Sequence, residues 1–296
     1  MGCETKQTQE QITGLPRPVL LRIEGPATSA ELREQYGGAV TAGFDGIELA
    51  LHATGNGGSR VAADDEPDLA TGTVEDNLEI GVVAARCFAT DIAAAAAEVT
   101  TLIKNAASLH AQCLNLTIPP IARAAGDEGF TSYQDSLNFA YKLLDRTRFE
   151  AEATGVAVAL EAGADGGLLS PVELREIIDA ANSWAVGACI DVTRIARFGS
   201  PVDWIKTLRC GVHTVRVHDV HTSDRPASTA ACGTATACGT DFPVGQAVNL
   251  AAIIEALDDI GYDRPIIVAG PGRPGEIRAQ LTKFGLPIVC PSESVR

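Results

Sequence analysis

The chain has 296 residues, 46% of them hydrophobic, with 38 acidic against 23 basic side chains and a formal net charge of −15. This is enough apolar material for one large core, and the acidic surplus disfavours nucleic acid phosphates or an anionic bilayer, because no run of Lys and Arg offers a local exception. No apolar run is long enough to span a bilayer, and residues 1–14 lack the charged start and hydrophobic stretch of a secretory signal, so a cytoplasmic protein is expected.

Residues 1–15 read as a polar, disordered tail, followed by one domain over residues 16–296. The opening Met1-Gly2-Cys3 is followed by Lys6, where a myristoylation signal has Ser or Thr, so lipidation is not expected. From there, short runs rich in Val, Ile and Leu alternate with longer amphipathic or Ala-rich stretches, the rhythm of parallel strands crossed by helices. The runs fall at residues 19–23, 46–51, 79–84, 113–117, 156–161, 186–191, 213–219 and 265–269. Eight strands separated by helices predict a closed α/β barrel, a parallel (β/α)8 TIM barrel in one domain, with an open doubly wound sheet as the alternative.

Several helix ends are also legible. Ala93–Ala97 and the following Leu102-Ile103 predict a helix whose small residues suit close packing on a barrel wall. Ser170-Pro171 before Val172, Leu174, Ile177 and Ile178 reads as an N-cap, a proline at the first helical position and an apolar stripe; Ser200-Pro201 before Val202, Trp204, Ile205 and Leu208 repeats it. Residues 52–77 and 220–243 are long connections after the second and seventh strands, at the C-terminal mouth where barrels keep their chemistry. They read either as lids or as plain insertions.

The eight cysteines, Cys3, Cys87, Cys113, Cys189, Cys210, Cys232, Cys238 and Cys290, contain no CxxC pair, so reduced core thiols are expected rather than a zinc module or disulfide scaffold. Cys232 and Cys238 share an Ala, Gly and Thr-rich loop and read as incidental thiols, with a bridge or a soft-metal site as the other possibility. Charged residues at inward strand ends carry more information, because an ionised group is costly to bury without a partner or metal. Glu48 belongs to the second run with His52 just beyond it, Glu161 ends the fifth, Asp191 ends the sixth, and the seventh carries Arg216, His218 and Asp219. Arg216 and His218 are two apart and so share a face. His110 reads as a packing or surface residue, and AGPGRPGE at 269–276, with Arg273, as a strand-to-helix turn more than a phosphate loop.

AGFDGIEL at 42–49, GVAVALEA at 155–162, ACIDVTR at 188–194, TVRVHDV at 214–220 and VGQAVNLAAIIEALDDIGYDRPIIV at 244–268 together resemble the xylose isomerase-like barrel family of sugar phosphate isomerases and epimerases. The resemblance implies a divalent cation (Mn, Co, Mg or Zn) held by a strand-five Glu, a strand-six Asp, a strand-seven His and a strand-eight Glu, with a substrate-binding His three residues after the Asp. Glu161 and Asp191 match the first two. Arg216 stands in place of the metal-binding His, Arg194 in place of the substrate His, and Ala269 in place of the closing Glu. An arginine has no lone pair to offer a cation and stays protonated, so no tightly bound metal and no other cofactor is expected.

Three readings of the pocket follow from these departures. A guanidinium of Arg216 or Arg194 fills the vacated place as an internal ion-pair network with the remnant ligands Glu161 and Asp191. Alternatively, one arginine grips a carboxylate, phosphate or polyol, or a metal site is rebuilt around His218 or His221. In function these give either an isomerase or epimerase of a sugar, polyol or related anionic metabolite with Glu161 as base, or a catalytically inactive relative that binds a ligand or protein. Asp191, Arg194, Arg216, His218, Glu48 and His52 are the candidate ligand-binding residues. A small-molecule partner is expected, with no nucleic acid or membrane and with a homo-oligomer as an option. The family's DNA repair endonucleases, which need several zinc ions and many histidines, do not suit an acidic chain with five His.

Overall fold

The computed structural model describes residues 17–24, 29–51, 53–54, 58–59, 79–121, 129–130, 132–163, 168–218, 249–270 and 273–283. Eight strands make a closed barrel: β1 (Val19–Glu24), β2 (Gly46–Ala50), β3 (Glu79–Arg86), β4 (Cys113–Thr117), β5 (Ala157–Glu161), β6 (Val186–Asp191), β7 (Val212–His218) and β8 (Ile266–Ala269). Each pairs in parallel with its sequence neighbours, and β1 closes against β8 through Val19–Ile266, Leu20–Ile267 and Leu21–Val268. The closure removes the open doubly wound alternative. All eight strands fall on the expected apolar runs.

The connecting helices are α1 (Ser29–Thr41), α2 (Ile92–Ser108), α3 (Tyr133–Thr154), α4 (Pro171–Ala181), the single turn α5 (Val192–Ile195), α6 (Pro201–Leu208), α7 (Leu250–Asp259) and α8 (Pro274–Lys283). The two Ser-Pro starts behave as their sequences dictate: Ser170 and Ser200 accept from the backbone N–H of Glu173 and Asp203, with the prolines in the first turn. Gly261, at φ 69°, lets the chain reverse after α7, and the buried Tyr262 next to it donates its hydroxyl to the Pro265 carbonyl just before β8. Among the described residues, no helix is long and apolar enough to cross a membrane.

Two apolar layers result. A large core of Val, Ile, Leu and Ala lies between the strands and helices, and a small inner cluster of Leu20, Val82, Cys113, Ala157, Ala159, Cys189 and Ile267 plugs the barrel. Cys87, Cys113 and Cys189 are buried free thiols and Cys210 is exposed. Because alternate residues share a face, stepping two places on from the plug reaches Arg22, Asn115, Glu161, Asp191 and Ala269 at the C-terminal end. The apolar plug thus separates a polar mouth from the N-terminal face.

The β6–β7 ladder is irregular. Ala188 pairs with Val212 and Cys189 with Thr214, leaving His213 as an extra residue. Its ring packs on Gly187, where a Cβ would stand 2.2 Å from His213 Cδ2. Of the connection 52–77, only the two-residue antiparallel strands Ala53–Thr54 and Gly58–Ser59 are described; the 220–243 connection, the N-terminal tail and His221 lie outside the described residues. Gly187→Ala is expected to lower stability by roughly 1–3 kcal/mol or more, with part of the loss recovered in Gly187→Ala/His213→Ala, as read from urea unfolding.

Candidate functional site

The mouth of the barrel is organised around Arg216, the largest of its fully buried side chains at 1% exposure. Its Nη2 and Nε donate to Glu48 Oε1 and Oε2 at 2.6 and 3.1 Å, a bidentate pair, while Nη1 donates to Glu161 Oε2 at 3.0 Å. The same Nη1 is 3.8 Å from Asp191 Oδ2. A planar fork with fixed N–H directions suits this arrangement of carboxylates from three strands, whereas a lysine could not bridge them in the same way.

Two further arginines flank this centre. Arg22 of β1 donates from Nη1 to Glu48 Oε2 at 2.7 Å. Arg194, in the short turn α5, donates from Nη1 to Glu161 Oε1 at 2.5 Å, and its Nε lies 3.5 Å from Asp191 Oδ2. That turn exists because Asp191 caps it, accepting the Arg194 backbone N–H at 2.9 Å. Among the described residues, three carboxylates therefore meet three guanidinia, and their formal charges balance. His218 Nε2 stands 2.9 Å from Asp191 Oδ2, although the two atoms are not aligned for a hydrogen bond. The close approach is electrostatic contact at most.

Neutral side chains complete the network. Asn115 donates to Glu48 Oε1 at 2.6 Å and accepts from Thr214 Oγ1 at 2.6 Å, while Thr117 donates to Glu161 Oε2 at 3.0 Å. Thr193 ties α5 to the end of β7 through both the carbonyl and the N–H of His218. Sequence reasoning did not single out Asn115, Thr117, Thr214 or Arg22. The available signal was a polar residue on the inward register of an otherwise apolar strand, as in CLNLT and VLLRI.

These contacts set the protonation states. Burial pushes the Glu48 carboxyl up, but Arg216 and Arg22 outweigh it and hold Glu48 below the ordinary carboxylate range. Burial likewise raises Glu161, yet Arg216 and Arg194 bring it down to about 2. Burial alone would favour loss of the Arg216 proton; Glu48 and Glu161 reverse that and keep the guanidinium charged. Glu161 is thus a carboxylate whose two oxygens are already engaged, with little basicity left for abstracting a proton.

The structure brings Glu48, Glu161, Asp191, Arg194, Arg216 and His218 together; His52, Asp219, Cys232 and Cys238 lie outside the described residues. Glu48 and Arg216 are sealed beneath the mouth, while Arg194 and His218 are partly exposed at 35% and 26% of their side chains. Ala269 pairs with His218 and occupies the inward end of β8, so it contributes no ligand atom. His110 is an exposed residue just past α2. At the start of α8 the Glu276 carboxylate accepts the Arg273 N–H, as in a plain strand-to-helix turn. A guanidinium positioned among three carboxylates does not fit a divalent cation, and among the described residues no group of three or more His, Cys, Asp or Glu is placed to hold one.

A model of the xylose isomerase-like TIM barrel family matches residues 38–286. No curated protein matches the sequence. Among solved structures, a D-tagatose 3-epimerase-like protein superposes with a TM-score of 0.63 at 14% identity, covering 90% of this chain and 97% of that one. The IolI protein with a bound zinc atom gives 0.64 at 17% identity, covering 94% and 100%; the apo 3-keto-D-glucoside 4-epimerase YcjR from E. coli gives 0.64 at 13%, covering 90% and 98%. Identities this low establish the shared fold.

Removing Arg216 leaves two buried carboxylates uncompensated, so Arg216→Met is expected to cost roughly 3–5 kcal/mol in denaturant unfolding, whereas Arg194→Ala, nearer solvent, costs about 1 kcal/mol or less. Because the Glu161 pKa is depressed on folding, its contribution to stability is present above about 4.5 and is lost as pH falls towards about 2. Glu161→Gln should flatten the acid limb of stability against pH across that window.

Proposed function

Because the chain belongs to the xylose isomerase-like TIM barrel family, we propose that it is a ligand-binding member of this sugar epimerase and isomerase-like fold. It takes a small sugar acid, polyol or related anionic metabolite at the mouth and does not carry out metal-dependent proton transfer. The observation that carries this reading is the Arg216 guanidinium bridging Glu48 and Glu161. It supplies inside the barrel the positive charge a cation would otherwise supply, and it leaves Glu161 a poor base.

Arg194 is the side chain suited to meeting a ligand. It is anchored at Glu161 and Asp191 and is partly open to solvent, and a guanidinium is a group that suits a carboxylate or vicinal hydroxyls. His218, beside it at the end of β7, adds a hydrogen-bonding imidazole. Non-reacting ligand recognition needs only this much; epimerisation also needs two groups that exchange protons with the substrate carbon and an electrophile for the enediolate oxygen.

A second reading keeps catalysis, with Glu161 as base and Arg194 as the electrophile, because the two are in contact at the mouth. Ketoses such as the D-tagatose and the D-allulose (also called D-psicose) named for the structural neighbours separate the readings. Incubated with these sugars and Mn, Co, Mg or Zn, the protein is expected to give no epimer above background by chromatography. In calorimetric titration it is expected to bind a sugar acid such as gluconate, about tenfold more weakly after Arg194→Ala. Turnover lost on Glu161→Gln would establish the catalytic reading, and failure to bind sugar acids, sugar phosphates or polyols would remove the ligand-binding one.

A further inference from the structure

The N-terminal face, on the far side of the apolar plug, carries a cavity of about 440 Å3 beneath the ends of α4 and α6. A volume of that size suits a small metabolite. Its apolar walls include Ile178, Leu208 and Val186, and Trp184 lines it with 62% of its surface exposed. An exposed indole in a concave site offers a stacking surface at little entropic cost.

Two residues lining the cavity stand out among the described ones for polar groups without a partner. His213, the extra residue of the β6–β7 irregularity, is 4% exposed, and no hydrogen bond satisfies its buried Nδ1. Leaving such a nitrogen unpaired is costly, and native proteins seldom do so without a ligand, water or function to account for it. Arg264, half-buried beside it, has no ion-pair partner among the described residues. The other charges of the cavity offset each other, since Arg175 Nε lies 3.4 Å from Asp179 and its Nη1 donates to the Thr207 carbonyl.

We propose that this cavity is a second ligand site, which binds a small aromatic carboxylate with its anionic end at Arg264 and its ring against Trp184. His213 lines the same cavity beside Arg264, with its Nδ1 closed off from the opening. Burial, with Arg264 nearby, pushes His213 down to about 3, so it is a neutral imidazole and Arg264 carries the positive charge that meets the anion. The site shares no residue with the polar mouth, and the proposal does not depend on what the mouth binds.

The test is calorimetric titration of the full chain with benzoate and, separately, with inorganic phosphate. Saturable benzoate binding with a dissociation constant of about 1 mM or tighter is expected. Arg264→Gln should weaken it at least about tenfold and Trp184→Ala about fivefold, while Arg194→Ala at the opposite end leaves it unchanged. Trp184 is exposed, so its variant serves as the readout should Arg264→Gln fail to fold. The proposal is overturned if wild type shows no saturable benzoate binding, if neither variant weakens it, or if phosphate binds as tightly and Trp184→Ala is without effect.

Discussion

A closed barrel leaves a charged side chain in its interior no route to water, so every charge there must be neutralised by another that the strands deliver. Arg216 meets this constraint. Its guanidinium is bound by Glu48 from one side of the barrel and Glu161 from the other, and Arg22 and Arg194 then balance the charge those carboxylates and Asp191 carry. Each partner comes from a different strand or turn, so the network holds only when the barrel is closed in this register. The same pairs that make the interior neutral leave Glu161 fully ionised and fully occupied. Electrostatic closure and loss of basicity are one physical fact.

Much of this was legible in the sequence. The eight strand runs, the Ser-Pro helix starts and the strand-end charges depend on local patterns, and the barrel follows from their number and order. That an arginine sits among the remnant carboxylates also follows from residue types at known registers. The partner of Arg216 was less accessible. Glu48 is 168 positions away, and which carboxylate takes the bidentate face depends on the barrel's stagger. Asn115 and Thr214, which join Glu48 to β4 and β7, are ordinary polar residues until the register makes them neighbours. His213 was invisible for another reason: its orientation depends on one extra residue in a ladder, which strand periodicity cannot reveal.

The two ends of the barrel differ in what their polar groups lack. At the C-terminal mouth the carboxylates and guanidinia pair with one another, and among the described members of the site Arg194 and His218 are the most exposed. At the N-terminal face, Arg264 lines a cavity without an ion-pair partner among the described residues, and His213 lies beside it with its Nδ1 buried and unbonded. In a fold whose chemistry is usually sited at the C-terminal end, recognition at the other end is compatible with a pocket whose central charges have been turned inward.

The central claim, that a buried guanidinium takes the role of the divalent cation, is tested most directly by elemental analysis. The purified protein is measured as isolated and after incubation with manganese, cobalt, zinc or magnesium followed by removal of excess. The account predicts no retained ion under any of these conditions. About one ion per chain, lost on Glu161→Gln or Asp191→Asn, would contradict it and place a metal among the carboxylates that Arg216 is held to neutralise.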